Sequence, residues 1–215
     1  MTMTIPLDIF ADPVCPWCLI GKAELDRALE SRPDHPFEIA WRPFRLNPDM
    51  PPGGMARTDY LRAKFGDAAG IEAAHKPLLA RAEALGIRLN LDAIAREPDT
   101  TDAHRLLHWA AIEGAQSRVI SGLLAAHWRD GRDIGDPGTL AQIADAAGMD
   151  GPMVERLLAT DADIDTVREA EAHARERGVR AVPTFVVANT HVVPGAQPAA
   201  LWMQVIDELG GERGA

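Results

Sequence analysis

The chain has 215 residues, with 22 basic against 32 acidic side chains and a formal charge of −10. That balance argues against a polyanion-coating protein, and 47% hydrophobic residues with a mean hydropathy of −0.12 exclude a disordered chain or a fibre. A chain of this length buries roughly 70% of its unfolded surface without covalent help, and its only two cysteines, Cys15 and Cys18, are too few for a disulfide-stapled scaffold or an all-cysteine zinc site.

Met1 to Val14 holds no Lys or Arg, carries Asp8 and Asp12, and lacks the pattern of a secretory signal. No stretch approaches the roughly eighteen consecutive apolar residues of a membrane helix. The expected address is the cytoplasm, with neither membrane nor nucleic acid as a partner. Thiols are kept reduced there, so two close cysteines point to catalysis or metal binding rather than to a structural disulfide.

Ile5 to Phe10 alternates around Leu7 and Ile9 and ends at Asp12-Pro13-Val14, which predicts a strand. From Pro16, Leu19, Ile20, Ala23, Ala28 and Leu29 recur at helical spacing, with Pro33 beyond the end. Phe37 to Leu46 alternates again and predicts a second strand, parallel to the first through a crossover helix. Three prolines and two glycines between Asn47 and Gly54 mark a loop. From Thr58 to Gly178 the periodicity is mainly helical, as in Leu106-Leu107-Ala110-Ala111 and Leu140-Ile143-Ala144-Ala147, with Asp102 and Asp136 at helix starts and Gly86, Gly131, Gly148 and Gly178 past helix ends. Strands return at Pro183 to Ala188 and His191 to Val193, joined by an Asn189-Thr190 turn. Pro198 then suits a first helical position, and Leu201, Val205, Ile206 and Leu209 form the last apolar face before Gly210-Gly211.

Cys15-Pro16-Trp17-Cys18 is a C-x-x-C motif at a strand-to-helix junction, the context of a redox dithiol rather than of half a zinc site. At a helix N-terminus, unpaired N–H groups and the positive dipole end favour a thiolate and lower a thiol pKa from about 8.5 towards ~3.5 to 7.5. Cys15 is therefore the expected nucleophile and Cys18, a turn further in, the resolving thiol. Pro16 stiffens the first turn, and Trp17 at its tip is a candidate apolar contact for a substrate chain. Two other groupings carry less. His104 and His108 share a helix face, but Arg105 stands where a metalloprotease motif has glutamate, so they read as a polar helix-start contact and a packed ring. Asp161, Asp163 and Asp165 imitate a calcium loop, but Thr166 and Ala172 occupy its glycine and glutamate positions. No metal site and no nucleotide cofactor is indicated.

Several runs occur in order: Asp12 to Cys18 with Ile20-Gly21-Lys22, Trp41-Arg42-Pro43-Phe44 with Leu46-Asn47-Pro48, Thr101 to Leu106, Val182-Pro183-Thr184-Phe185, and Pro194-Gly195-Ala196-Gln197. Together they resemble the FrnE-like cytosolic branch of the DsbA family of thiol-disulfide oxidoreductases. The resemblance implies an α/β, thioredoxin-like fold (β-α-β … β-β-α) with a large inserted helical domain, here residues 1–54 and 179–215 around an insert at 55–178. It also implies a cis Val182-Pro183 bond lying against the dithiol, which makes Val182 and Pro183 candidate substrate-binding residues. The expected partners are peptides or proteins bearing thiols or disulfides, and no cofactor is required beyond glutathione as a co-substrate. Related isomerases and transferases that use glutathione on small molecules share this architecture but carry serine in place of Cys15, so both cysteines favour dithiol exchange. A glutathione-dependent isomerase or transferase is the alternative, and a non-catalytic peptide-binding chaperone using the surface around Trp17 is another.

Overall fold

The computed structural model describes residues 4–211; the ends of the two expected flanking segments, 1–3 and 212–215, lie outside the described residues. Strand β1 (Ile5–Ala11) leads into helix α1 (Pro16–Ser31) and then strand β2 (Phe37–Pro43). A two-residue strand β3 (Met55–Ala56) precedes helices α2 (Arg57–Phe65) and α3 (Ala68–Ala84), and a matching strand β4 (Arg96–Glu97) precedes α4 (Thr101–Ile112). Helices α5 (Gln116–Trp128), α6 (Pro137–Ala146), α7 (Gly151–Leu158) and α8 (Ile164–Glu176) follow, then strands β5 (Thr184–Val187) and β6 (His191–Pro194) and helix α9 (Ala199–Gly211). The architecture is the expected mixture of a thioredoxin-like sheet with intervening helices.

The main sheet runs β2-β1-β5-β6, with β1 parallel to β2 and antiparallel to β5. Leu7 and Ile9 of β1 lie opposite Val187 and Phe185, and all four are buried, whereas Asp8 and Phe10 at the alternate positions stay partly exposed. This period-2 burial is why β1 was readable as a strand. Phe185 packs against Trp202 of α9 in a tilted arrangement, with ring centroids 4.7 Å apart. The free edge of β2 is blocked by a side chain: Gln116 accepts the Trp41 N–H at 2.8 Å and donates to the Trp41 carbonyl at 2.8 Å, standing in for a neighbouring strand.

Several expected boundaries move for identifiable reasons. Strand β2 stops at Pro43 rather than at Leu46, because Pro43 has no N–H and the Leu46 N–H is taken by the Asp12 carboxylate at 2.6 Å. Strand β5 ends at Val187, and the turn uses Ala188 and Asn189, both at positive φ, rather than Asn189-Thr190. Helix α9 starts one residue after Pro198, where Glu24 of α1 accepts the Ala199 N–H at 2.9 Å, and it continues through Gly210 to Gly211. The expected helical stretch from Thr58 also contains the ribbon arm β4.

Arg105 turns out to be a structural hub. Fully buried on α4, its guanidinium donates to the carbonyls of Leu157, Thr160 and Ala162 at 2.7 to 2.8 Å and pairs with Asp102, so it satisfies the C-terminal end of α7.

Gly21 brings α1 against β5. A Cβ at this position would lie 3.0 Å from Pro183 Cγ and 3.4 Å from the Phe185 ring, closer than a relaxed core allows. Gly21→Val should therefore lower unfolding stability in urea by about 1–3 kcal/mol through overpacking; an unchanged midpoint would contradict this close contact.

Candidate functional site

The turn after β1 sets the site. Asp12 follows the strand, its carbonyl accepts the Cys15 N–H at 2.9 Å, and Cys15 becomes the N-cap of α1 with extended backbone, followed by Pro16 in the first turn. Pro16 needs no hydrogen bond there and has the φ that the turn requires. Cys18 lies one turn in, its N–H on the Cys15 carbonyl at 3.0 Å. Both cysteines are free thiols and both are buried.

The two sulfurs are inequivalent. Cys18 acts as hydrogen-bond donor to Cys15 and holds its pKa below the usual thiol value; burial opposes this, and the N–H groups of Cys18 and Trp17 at the helix start add to it. Cys18 is pushed well above the usual value, first by burial and then by the Cys15 sulfur beside it. The pair thus carries one negative charge more readily than two, and carries it on Cys15. When protonated, Cys15 donates instead to the Val182 carbonyl at 3.4 Å. The Val182-Pro183 bond is cis, and Pro183 lies against Gly21, so the turn before β5 faces the dithiol. Trp17 is 37% exposed beside Cys15, which is 3% exposed.

A cleft of about 280 Å³ opens on Cys15 between Trp17, Val182 and the inserted helices. Its far wall carries Arg57, Tyr60 and Lys64 of α2, with His75, Glu97 and Trp128. Arg57 is paired with Glu97 and lies over the rings of Tyr60 and Trp128. Lys64 sits over the Tyr60 ring at 4.9 Å. Trp128 fixes the wall to the turn before Cys15, donating its indole N–H to the Pro13 carbonyl at 2.9 Å. Arg57, Tyr60, Lys64 and Trp128 were not singled out as site residues from sequence; they come from helices whose periodicity signals packing, and only the fold brings them to Cys15.

Asp12 is the other residue to which sequence reasoning gave no role in the site. It is fully buried, and burial raises its carboxyl to about 7, against the pull of the Leu46 and Val14 N–H groups and the Thr100 hydroxyl. An acid three residues before a C-x-x-C, at the end of an apolar strand, was the available signal. His104, expected as a helix-start contact or a packed ring, is fully buried 3.8 Å from Asp12. His108 lies 3.9 Å from Asp163 instead, and no cluster of three or more metal-ligating side chains occurs among the described residues.

The family model described as a DSBA-like thioredoxin domain matches residues 6–206. The chain belongs to that family. Its relatives include the uncharacterized protein YwbO of Bacillus subtilis (strain 168), 28% identical over 207 residues that make up 96% of this chain and 98% of YwbO. Among solved structures it is similar to a probable DsbA oxidoreductase, SCO1869, from Streptomyces coelicolor, with 31% identity, a TM-score of 0.83, and coverage of 97% of this chain and 91% of that one. A structure of the cytosolic disulfide reductase DsbM from Pseudomonas aeruginosa with GSH shares the fold at 15% identity and a TM-score of 0.67, covering 95% and 98% of the two chains. The fold and the thiol-oxidoreductase family expected from the sequence are those found.

The raised Asp12 carboxyl has a thermodynamic consequence. Between the unfolded value of 3.8 and about 7 the native state holds a proton that the unfolded chain releases, so the stability Asp12 contributes is present at low pH and lost as pH rises through that window. Relative to Asp12→Asn, the wild-type urea midpoint should fall as pH rises from about 4 to about 7. A difference that stays flat or grows would contradict the burial assigned to this acid.

Proposed function

We propose that the protein is a cytoplasmic thiol-disulfide oxidoreductase in which Cys15 attacks and Cys18 resolves. The observation that carries this reading is the placement of the two thiols, Cys15 at the N-cap of α1 against the carbonyl of the cis Val182-Pro183 unit and Cys18 one turn in, in keeping with a lowered Cys15 and a raised Cys18. The Cys15 thiolate attacks a substrate disulfide, a Cys15–S bond forms, the substrate S–S bond breaks, and one substrate thiolate leaves. Cys18 then gives up its proton, with the Asp12 carboxylate as the buried acceptor, and attacks Cys15 Sγ. The second substrate thiol leaves, two electrons have passed from the dithiol to the substrate, and the reverse sequence oxidises a dithiol. Val182 and Pro183 form the backbone platform beside the mixed disulfide, and Pro16 and Trp17 form the apolar rim on which a peptide would rest. Thiol- or disulfide-bearing peptides and proteins are the proposed partners, and the cytosolic disulfide reductase among the fold neighbours supports the cytoplasmic setting.

Cys15→Ser should abolish disulfide reduction in an insulin assay, and Cys18→Ser should accumulate a mixed disulfide visible by mass spectrometry. Full activity in the Cys15→Ser protein would overturn the proposal.

The cleft supports a second reading. A space of about 280 Å³ with Lys64 and Tyr60 opposite Cys15 suits a small thiol with a carboxylate better than a folded protein, and DsbM was solved with GSH. In that reading glutathione is the co-substrate, acting in an isomerase or transferase reaction. Turnover that saturates with glutathione and survives Cys18→Ser would select it over dithiol exchange; loss of turnover in that variant would exclude it.

A further inference from the structure

His104 is 1% exposed, and neither ring nitrogen has a hydrogen-bond partner. Buried polar groups are rarely left unpaired, because each costs the free energy of its lost hydration. An orphaned imidazole 3.8 Å from a buried carboxylate is therefore a partner waiting for a second state of that carboxylate. The groups around Asp12 are unequal to its two forms. The Leu46 and Val14 amides only donate and so favour the carboxylate; the Thr100 hydroxyl donates to Oδ2 and can turn to accept from an acid there, whereas Oδ1 faces the Val14 amide and, at 3.8 Å, His104 Nε2. A proton on Oδ1 needs an acceptor that the Val14 amide cannot supply, and a neutral imidazole has one bare nitrogen. Closing 3.8 Å to hydrogen-bond distance takes a shift of about 1 Å.

From this geometry we infer that His104 is a positioning residue for the dithiol, hydrogen-bonding the Asp12 acid whenever Asp12 holds the proton released by Cys18. The inference rests on the exchange reading above. When Cys18 attacks Cys15 Sγ, the Cys18 S–H bond breaks, the proton goes to a carboxylate oxygen of Asp12, and the Asp12 O–H donates to Nε2 of His104. In the reverse direction the proton returns to the Cys18 thiolate as the disulfide is reduced. The imidazole itself stays uncharged, since burial and the nearby Arg45 cation both disfavour its protonation while Asp99 only partly opposes them. The remaining charged or titratable groups acting on Asp12 and the thiols are Glu97 on β4, which favours the protonated Asp12, and Cys15 and Cys18 on α1, whose thiols Asp12 in turn disfavours as thiolates.

The test is stopped-flow reaction of the reduced protein with a chromogenic aryl disulfide, in which the first aryl thiolate reports attack by Cys15 and the second reports resolution by Cys18. His104→Leu leaves the acid without its acceptor, so at neutral pH the second phase should slow about tenfold relative to the first, with its pH midpoint displaced by about one unit. His104→Gln, whose amide reaches the Nε2 position and retains a polar partner, should restore the midpoint. An unmoved midpoint in folded His104→Leu, or an equal displacement in His104→Gln, overturns the inference. Absence of any first phase in wild type would instead overturn the exchange reading. Should His104→Leu not fold, wild-type NMR decides: the His104 ring-nitrogen shifts should change in step with the Asp12 carboxyl titration, and ring shifts indifferent to it would refute the role.

Discussion

The unequal support for charge on the sulfurs of Cys15 and Cys18 is the constraint on which the rest of the site depends. Both thiols are buried, so neither sulfur gains from water, and a negative charge on the pair persists only where protein dipoles support it. Those dipoles are concentrated at Cys15: the Cys18 S–H, and the N–H groups of Trp17 and Cys18 at the opening of α1. Burial charges Cys18 the full cost of ionising and leaves it protonated. A chemically symmetric dithiol is thereby divided into a sulfur that carries charge and a sulfur that keeps its proton by its position along one helical turn.

Keeping that turn in place recruits distant parts of the chain. Gly21 lets α1 settle on Pro183 and Phe185, which brings the Val182 carbonyl to 3.4 Å from Cys15 Sγ. Trp128, from the end of α5, holds the Pro13 carbonyl, and Glu24 ties α1 to the start of α9. The inserted helices contribute chemistry as well as cover: Thr100 and His104 from the start of α4 meet Asp12, and α2 presents Tyr60 and Lys64 across the cleft. Arg105, by satisfying carbonyls at the end of α7, anchors the helix that carries His104.

How much of this was legible in the sequence depends on the range of the interaction. Strand β1, helix α1 and the β5-β6 hairpin announce themselves through alternation, 3.6-residue periodicity and proline placement, all local properties, and the roles proposed for Cys15 and Cys18 rest on where the motif falls between strand and helix. The ribbon of β3 and β4 left no trace, because two residues have no period. Its pairing of Met55 with Glu97 is set by contacts across the fold. Asp12 illustrates the same limit: its identity was plain, but its burial, and hence its protonation near neutrality, arises only when Leu46, Thr100 and His104 close around it. Arg105 looked like the residue that spoiled a metal motif, and only the packing of α4 against the end of α7 gives it a purpose.

The central claim, that the fold places the charge of the dithiol on Cys15 and withholds it from Cys18, is tested most directly by following thiolate absorbance against pH in the reduced protein, with site-resolved alkylation to tell the two sulfurs apart. The account predicts that Cys15 ionises and alkylates below the ordinary thiol range, about 8.5 for an unperturbed cysteine, while Cys18 stays protonated and unreactive through the same range. Two thiols that ionise together at or above the ordinary value would contradict it.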